Sequence, residues 1–179
     1  MYRNQVITEM ESVFRDMPFG IKHTMRVLMN ADEIMAGESV DDKDEIIALG
    51  AILHDIGAVN AKQKYNSIDG HYQEIEGPSV AKEILERVGV ADEIIQRVCY
   101  IVGNHHTPSK IDGVDFQILW DADFLDNLEF GKQTQDREQL VLQIQENCKT
   151  VAGKNLAMKR CGVTQASKRI QLWSKRSID

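Results

Sequence analysis

The segment that most constrains this chain is Ile46-Ile47-Ala48-Leu49-Gly50-Ala51-Ile52-Leu53, apolar at every position and followed directly by His54-Asp55. A helix apolar on all sides belongs inside a bundle rather than on its surface. Two ionisable side chains at the end of such a helix are costly to desolvate unless they pair or bind a metal. On these ten residues alone, a structural His–Asp pair and a working site are equally good readings.

Apolar residues recur at helical spacing through almost all of the remaining chain. Arg3–Arg15 carries Val6, Ile7, Met10, Val13 and Phe14 on one face and stops at Met17-Pro18. Gly20–Met35 follows, striped by Ile21, Met25, Leu28, Ala31 and Met35, with Gly37 as its stop. The acidic run Asp41-Asp42-Lys43-Asp44 suits the N-terminus of the apolar helix through capping and the helix dipole. A polar loop is expected over Ala58–Gly70, then helices at about Glu74–Val88, Ala91–Asn104, Asp115–Phe130, Gln133–Val151 and Thr164–Lys175. Strand-type alternation is nowhere sustained, and no repeat or linker divides the chain. The expected fold is all-α: one domain over residues 1–179, a bundle of six to eight helices.

Composition narrows the class of function. The 179 residues suffice for one sizeable core, and 42% hydrophobic with 27% charged residues is near the globular norm. The net charge of −7 excludes a simple basic nucleic-acid binder. It is also uneven. Residues 131–179 hold ten bases against four acids, whereas residues 1–130 hold eleven against twenty-four. No run approaches the ~18 apolar residues of a membrane span, and MYRNQVITEMESVFRD lacks the apolar core of a secretory signal. Three widely spaced cysteines without a C-x-x-C pattern suit a reducing compartment, so a cytoplasmic location is expected. The basic C-terminal helix, striped by Ala166, Ile170 and Trp173, is expected to dock on the acidic body or on a second subunit.

Further ionisable residues cluster by segment. His23 lies three residues from Arg26, hence on the same helical face, where a cation beside a histidine could hold phosphate. In Trp120-Asp121-Ala122-Asp123-Phe124-Leu125-Asp126, Asp123 and Asp126 share a face and Asp121 points elsewhere. Apolar neighbours imply that at least one of these carboxylates faces the interior and wants a cation. Gly103-Asn104-His105-His106-Thr107-Pro108 ends a helix in two adjacent histidines, which also suit a plain C-terminal cap. Histidine and aspartate without cysteine fit a divalent ion bound through nitrogen and oxygen, leaving Mn, Fe, Co, Ni, Zn and Mg open.

The ordered set His23, His54-Asp55 and Asp123, with the contexts Ile52-Leu53-His54-Asp55-Ile56-Gly57 and Ala122-Asp123-Phe124-Leu125-Asp126, resembles the HD-domain superfamily of metal-dependent phosphohydrolases over residues 20–130. The resemblance implies that His23, His54, Asp55 and Asp123 ligate a metal. Members with a second metal have further histidines. His105 and His106 match their double-histidine motif, and His71, with Glu74 nearby, stands near another such position at an unusual spacing. Cyclic-dinucleotide-degrading members carry Gly-Tyr-Pro after the double histidine; this chain has Thr107-Pro108-Ser109. Where other members have Glu or Lys three residues after the HD aspartate, this chain has Ala58.

The expected activity is hydrolysis of a phosphomonoester or phosphoanhydride of a nucleotide-like substrate by metal-activated water, with one or two divalent ions. Asp55 or Asp126 would orient the water, and Arg26 with Lys62 or Lys64 would steady the phosphate. The alternative is a catalytically silent metal- or nucleotide-binding module of the same fold. A third reading is a helical interaction domain whose HD pair is only structural. The expected partner is a small phosphorylated substrate, with a homodimer open and neither membrane nor nucleic acid anticipated.

Overall fold

The computed structural model describes residues 2–38, 40, 43–131 and 136–163, and every structural statement below concerns these residues. They form nine α-helices and a short 3-10 turn: α1 (Arg3–Val13), α2 (Pro18–Met35), α3 (Asp44–Leu53), α4 (Ala58–Tyr65), α5 (Gly70–Val88), α6 (Asp92–Val102), the turn Pro108–Lys110, α7 (Val114–Gly131), α8 (Arg137–Asn147) and α9 (Val151–Arg160). The all-α expectation holds. No helix among the described residues is long and apolar enough to cross a membrane.

The apolar segment takes the position its composition demands. Helix α3 packs against α1, α2, α6 and α7, and every residue from Ile47 to Leu53 is buried. Asp44 and Glu45 occupy its first turn, where their charge complements the dipole, although no side chain caps the end. Around it, Val27, Leu28, Ala31 and Ile34 of α2, Val98, Ile101 and Val102 of α6, and Phe116, Ile118, Leu119 and Ala122 of α7 complete the core. Each fully buried Leu, Ile or Phe adds about 1.5–3 kcal/mol relative to exposure.

Three local expectations are corrected. The polar loop expected over Ala58–Gly70 contains α4: the chain re-enters a helix immediately after the His54–Gly57 turn and ends only at Asn66, whose left-handed φ of 52° stops it. Helix α5 begins at Gly70, four residues earlier than its apolar stripe suggested, and ends as expected at left-handed Gly89. The helix expected over Gln133–Val151 divides into α8 and α9. Buried Asp121 is the cause: it accepts hydrogen bonds from Lys149 N (2.6 Å), Thr150 N (2.7 Å) and Thr150 Oγ1 (2.8 Å) and so holds open the turn before α9. Burial pushes the Asp121 carboxyl up, against these donors. The helix expected at Thr164–Lys175 lies outside the described residues.

Gly57 fixes how closely α4 and α5 approach. A Cβ there would lie 2.4 Å from Gln73 O and 2.6 Å from Gly77 N, both backbone atoms that cannot rotate away. Gly57→Ala is therefore expected to cost about 1–3 kcal/mol through overpacking. At roughly 2–4 °C per kcal/mol for a chain of this size, thermal unfolding should show a loss of several degrees; an unchanged midpoint would contradict the close approach.

Candidate metal centre

Three histidines converge, and each has one ring nitrogen already committed. His54 caps α3, and its Nδ1 donates to Ala51 O at 2.9 Å, satisfying a carbonyl that the helix end leaves over. His105 repeats the device at the end of α6, with Nδ1 donating to Val102 O at 2.7 Å. His23, inside α2, donates from Nδ1 to Asp126 Oδ2 at 2.7 Å. These bonds assign the tautomers, so all three rings turn an Nε2 lone pair inward. A partner on the far nitrogen that fixes ring orientation and raises basicity is the usual support of a histidine metal ligand.

The inward atoms lie close together. His23 Nε2 is 3.1 Å from His54 Nε2, 3.2 Å from Asp123 Oδ1 and 3.4 Å from Asp55 Oδ2. His54 Nε2 is 3.6 Å from Asp55 Oδ2 and 3.9 Å from Asp123 Oδ1. With the tautomers above, these are all acceptors, and neighbouring lone pairs repel unless a proton or cation lies between them. Ligands at about 2.0–2.2 Å from one divalent ion are separated by about 3–3.5 Å, so the donor set fits such an ion. His23, His54 and Asp55 form one group of atoms able to hold a metal. Asp123 adjoins it, positioned further by Asn127 Nδ2, which donates to Asp123 Oδ1 at 3.0 Å.

Asp55 also faces a second group. Its Oδ1 is 3.2 Å from His105 Nε2, and Asp55, His105 and His106 together could hold an ion. The His106 ring lies against Gly70, where a Cβ would come within 2.2 Å of it. Glu74 shapes this loop by accepting from His106 N (2.9 Å) and Thr107 Oγ1 (2.8 Å).

The electrostatics follow from packing bases and acids around one point. Burial opposes a charge on His23, but the Asp123 carboxylate beside Nε2 and the charges of Asp55 and Asp123 lift its pKa to about 9, so without an ion a proton is the cation between these acceptors. Burial lowers His54. For His105 burial works downward, yet the bond to Asp55 prevails and raises it. Burial and then the His105 charge lower His106. Burial opposes ionisation of Asp55 as well, but the charges and hydrogen bonds of His54, His105 and His23 hold its carboxyl well below the usual range. Asp123 is lowered likewise, chiefly by His23 and His54 against burial.

The other residues singled out from the sequence have different partners. Buried Asp126 is held by Arg26, whose Nε and Nη2 donate to its two oxygens at 2.6 and 3.0 Å. With His23 also bound, both Asp126 oxygens are engaged, Oδ1 by Arg26 and Oδ2 by Arg26 and His23. His71 and Glu74 belong to neither metal-holding group among the described residues. His71 is exposed on the first turn of α5, where the Gly70 backbone faces the site instead, and both Glu74 oxygens serve the His106–Thr107 loop. Lys64 donates to Glu76 Oε2 at 2.5 Å, and exposed Lys62 reaches Asn66 O at 3.4 Å.

Sequence reasoning missed Asn30, Asn127 and Glu76. Asn30 Nδ2 donates to Ala122 O at 2.9 Å and its Oδ1 accepts from Arg160 Nη1 at 2.6 Å, tying α9 to the α2–α7 seam beside His23 and Asp123. The signal for Asn127 was present, four residues after Asp123. Asn30 and Glu76 depend on contacts distant in sequence.

Asp126→Asn keeps the shape but removes the charge that orients His23. It should weaken divalent-ion affinity about 10–100-fold, measured by competition with a chromogenic chelator. His54→Ala should abolish stoichiometric metal by elemental analysis; full retention would remove His54 from the ligand set.

With this geometry in hand, comparison with known proteins is direct. The family model described as HD domain matches residues 20–150. Among solved structures, the fold is similar to a predicted HD superfamily hydrolase from an uncultured Thermotogales bacterium, at 23% identity and a TM-score of 0.68, covering 97% of this chain and 92% of that one. No protein of curated function matches. Because the family match takes in both arms of the cluster, from His23 through the His54-Asp55 pair and the double histidine to Asp123, the chain belongs to the HD domain family.

Proposed function

We propose that the chain is a divalent-metal-dependent phosphohydrolase that cleaves a phosphomonoester or phosphoanhydride of a nucleotide-like substrate. The observation that carries this reading is the convergence of three Nε2 atoms, each on a ring whose Nδ1 has a fixed partner, with two carboxylates beside the end of a buried helix. His23, His54, Asp55 and Asp123 would hold the ion, and Asp55, His105 and His106 a second one. A divalent ion there supplies Lewis acidity, which acidifies water and neutralises phosphate charge.

The chain's own residues supply orientation. Asp126, charged and braced by Arg26, fixes the His23 ring. Ala51 O and Val102 O fix His54 and His105. Asp55 faces both groups and its side chain is 20% exposed. That position, between the two groups and partly open to solvent, supports a role for Asp55 in orienting an attacking water while the buried histidines stay in register. The 37% exposed Arg26 side chain adds positive charge beside His23 at the edge of the cluster, a favourable neighbour for an anionic substrate.

A specific observation favours the silent binding module as a second reading. Ala58, where other members carry a charged side chain, is only 5% exposed and places no acid or base in the site. A panel of phosphomonoesters and phosphoanhydrides, assayed with Mn, Co, Ni, Zn and Mg, separates the two. The proposal expects phosphate or pyrophosphate release with at least one ion, falling to background in Asp55→Ala. Tight ion binding without release from any substrate would favour the silent module.

A further inference from the structure

Helices α4 and α5 form a hairpin whose turn carries exposed aromatic and apolar surface that the metal centre does not use. Tyr65 is 41% exposed, Ile68 42% and Ile75 52%. The Tyr65 and Tyr72 rings stack, with centroids 4.3 Å apart and an interplanar angle of 16°. Tyr72 lies 5.5 Å from the His71 ring. On the inner side of the same turn, Gly70 abuts His106, whose ring centroid is 4.1 Å from that of His105. The aromatic surface therefore begins next to the double histidine and leads away from it.

The stacked pair is held in place. Tyr65 OH donates to Glu76 Oε1 at 2.9 Å, while Lys64 occupies Oε2, and Glu76 itself is 5% exposed. An anchored ring loses little freedom when a ligand settles on it. Since Tyr72 covers one face of Tyr65, its exposure falls on the opposite face and the rim. Helix α4 rises roughly 10 Å between Ala58 and Tyr65, a length on the scale of a nucleoside. Lys62, exposed and three residues before Tyr65, puts a positive charge on the same side of α4.

Resting on the phosphohydrolase reading above, we propose that Tyr65 and Tyr72 form a stacking platform for the nucleobase of the substrate, with its phosphate at the Asp55 cluster. Stacking accepts any π face, so this surface selects a planar ring over a ring-free ester and discriminates little among bases.

Calorimetric titration of the full chain with Mg, using a nucleoside monophosphate and glycerol phosphate as probes, tests the platform through binding rather than through product formed. The Tyr65→Leu/Tyr72→Leu double variant should lose roughly 10–100-fold in nucleotide affinity and keep its affinity for glycerol phosphate. Tyr65→Phe, which keeps the ring, should stay within a few-fold of the parent. Tyrosine ring protons should shift upfield in the NMR spectrum when nucleotide binds. Equal affinity of the parent for both probes, or an unaltered double variant, overturns the platform. So does a double variant that converts a dimer to a monomer in solution with nucleotide affinity intact, because the surface is then an interface between copies. Ring-dependent binding upholds the platform whether or not phosphate is released, and the hydrolase reading stands or falls separately on the panel of esters, anhydrides and ions above. Phosphate release in that panel together with equal binding of the two probes upholds the hydrolase reading and removes the platform.

Discussion

Everything about the site depends on where the second nitrogen of each histidine is bonded. A free imidazole presents either nitrogen, and a buried one with no fixed partner could not be relied on as a ligand. Here Ala51 O, Val102 O and the Asp126 carboxylate each take an Nδ1–H, and three lone pairs are left facing one another. Two of these partners are carbonyls that the ends of α3 and α6 would otherwise leave unsatisfied. Helix termination and ligand orientation are thus one interaction, and the residues that stop the helices are the residues of the site.

The third histidine needs a different solution because it lies in mid-helix, where backbone carbonyls are already used. Asp126 fills that role, and Arg26 compensates its buried charge. The seam between α2 and α7 is therefore both a packing surface and the arm of the site that carries His23 and Asp123. Asn30 and Arg160 extend the seam toward α9. Asp121, one turn from the site on α7, uses its carboxylate to seat the same helix. Three aspartates within six residues thus have three jobs, separated by the direction each faces around α7.

Much of this was legible from local pattern. The all-round apolar run put α3 at the centre, and the positions of His23, His54-Asp55, His105-His106 and Asp123 on helices pointed to a nitrogen–oxygen metal site. Pattern failed where a contact distant in sequence made the decision. The split between α8 and α9 comes from Asp121, the tether of Lys64 from Glu76, and the role of Asp126 from Arg26, a hundred residues away. The helix over Ala58–Tyr65 was hidden for a related reason: its polar exposed face has no apolar stripe, and only Ala58 and Ala61 are buried. Just before them, the Gly57–Gly77 approach brings the start of α4 against α5.

The sequence by itself determined the helical class, the buried position of the helix ending in His54-Asp55 and the kinds of ligand available, because hydrophobic periodicity and residue chemistry are local properties. Only the tertiary structure decided which acids face the histidines and which serve the scaffold. That choice depends on distances of 2.7–3.2 Å between residues 31 to 103 positions apart, and such distances exist only once α3 is enclosed.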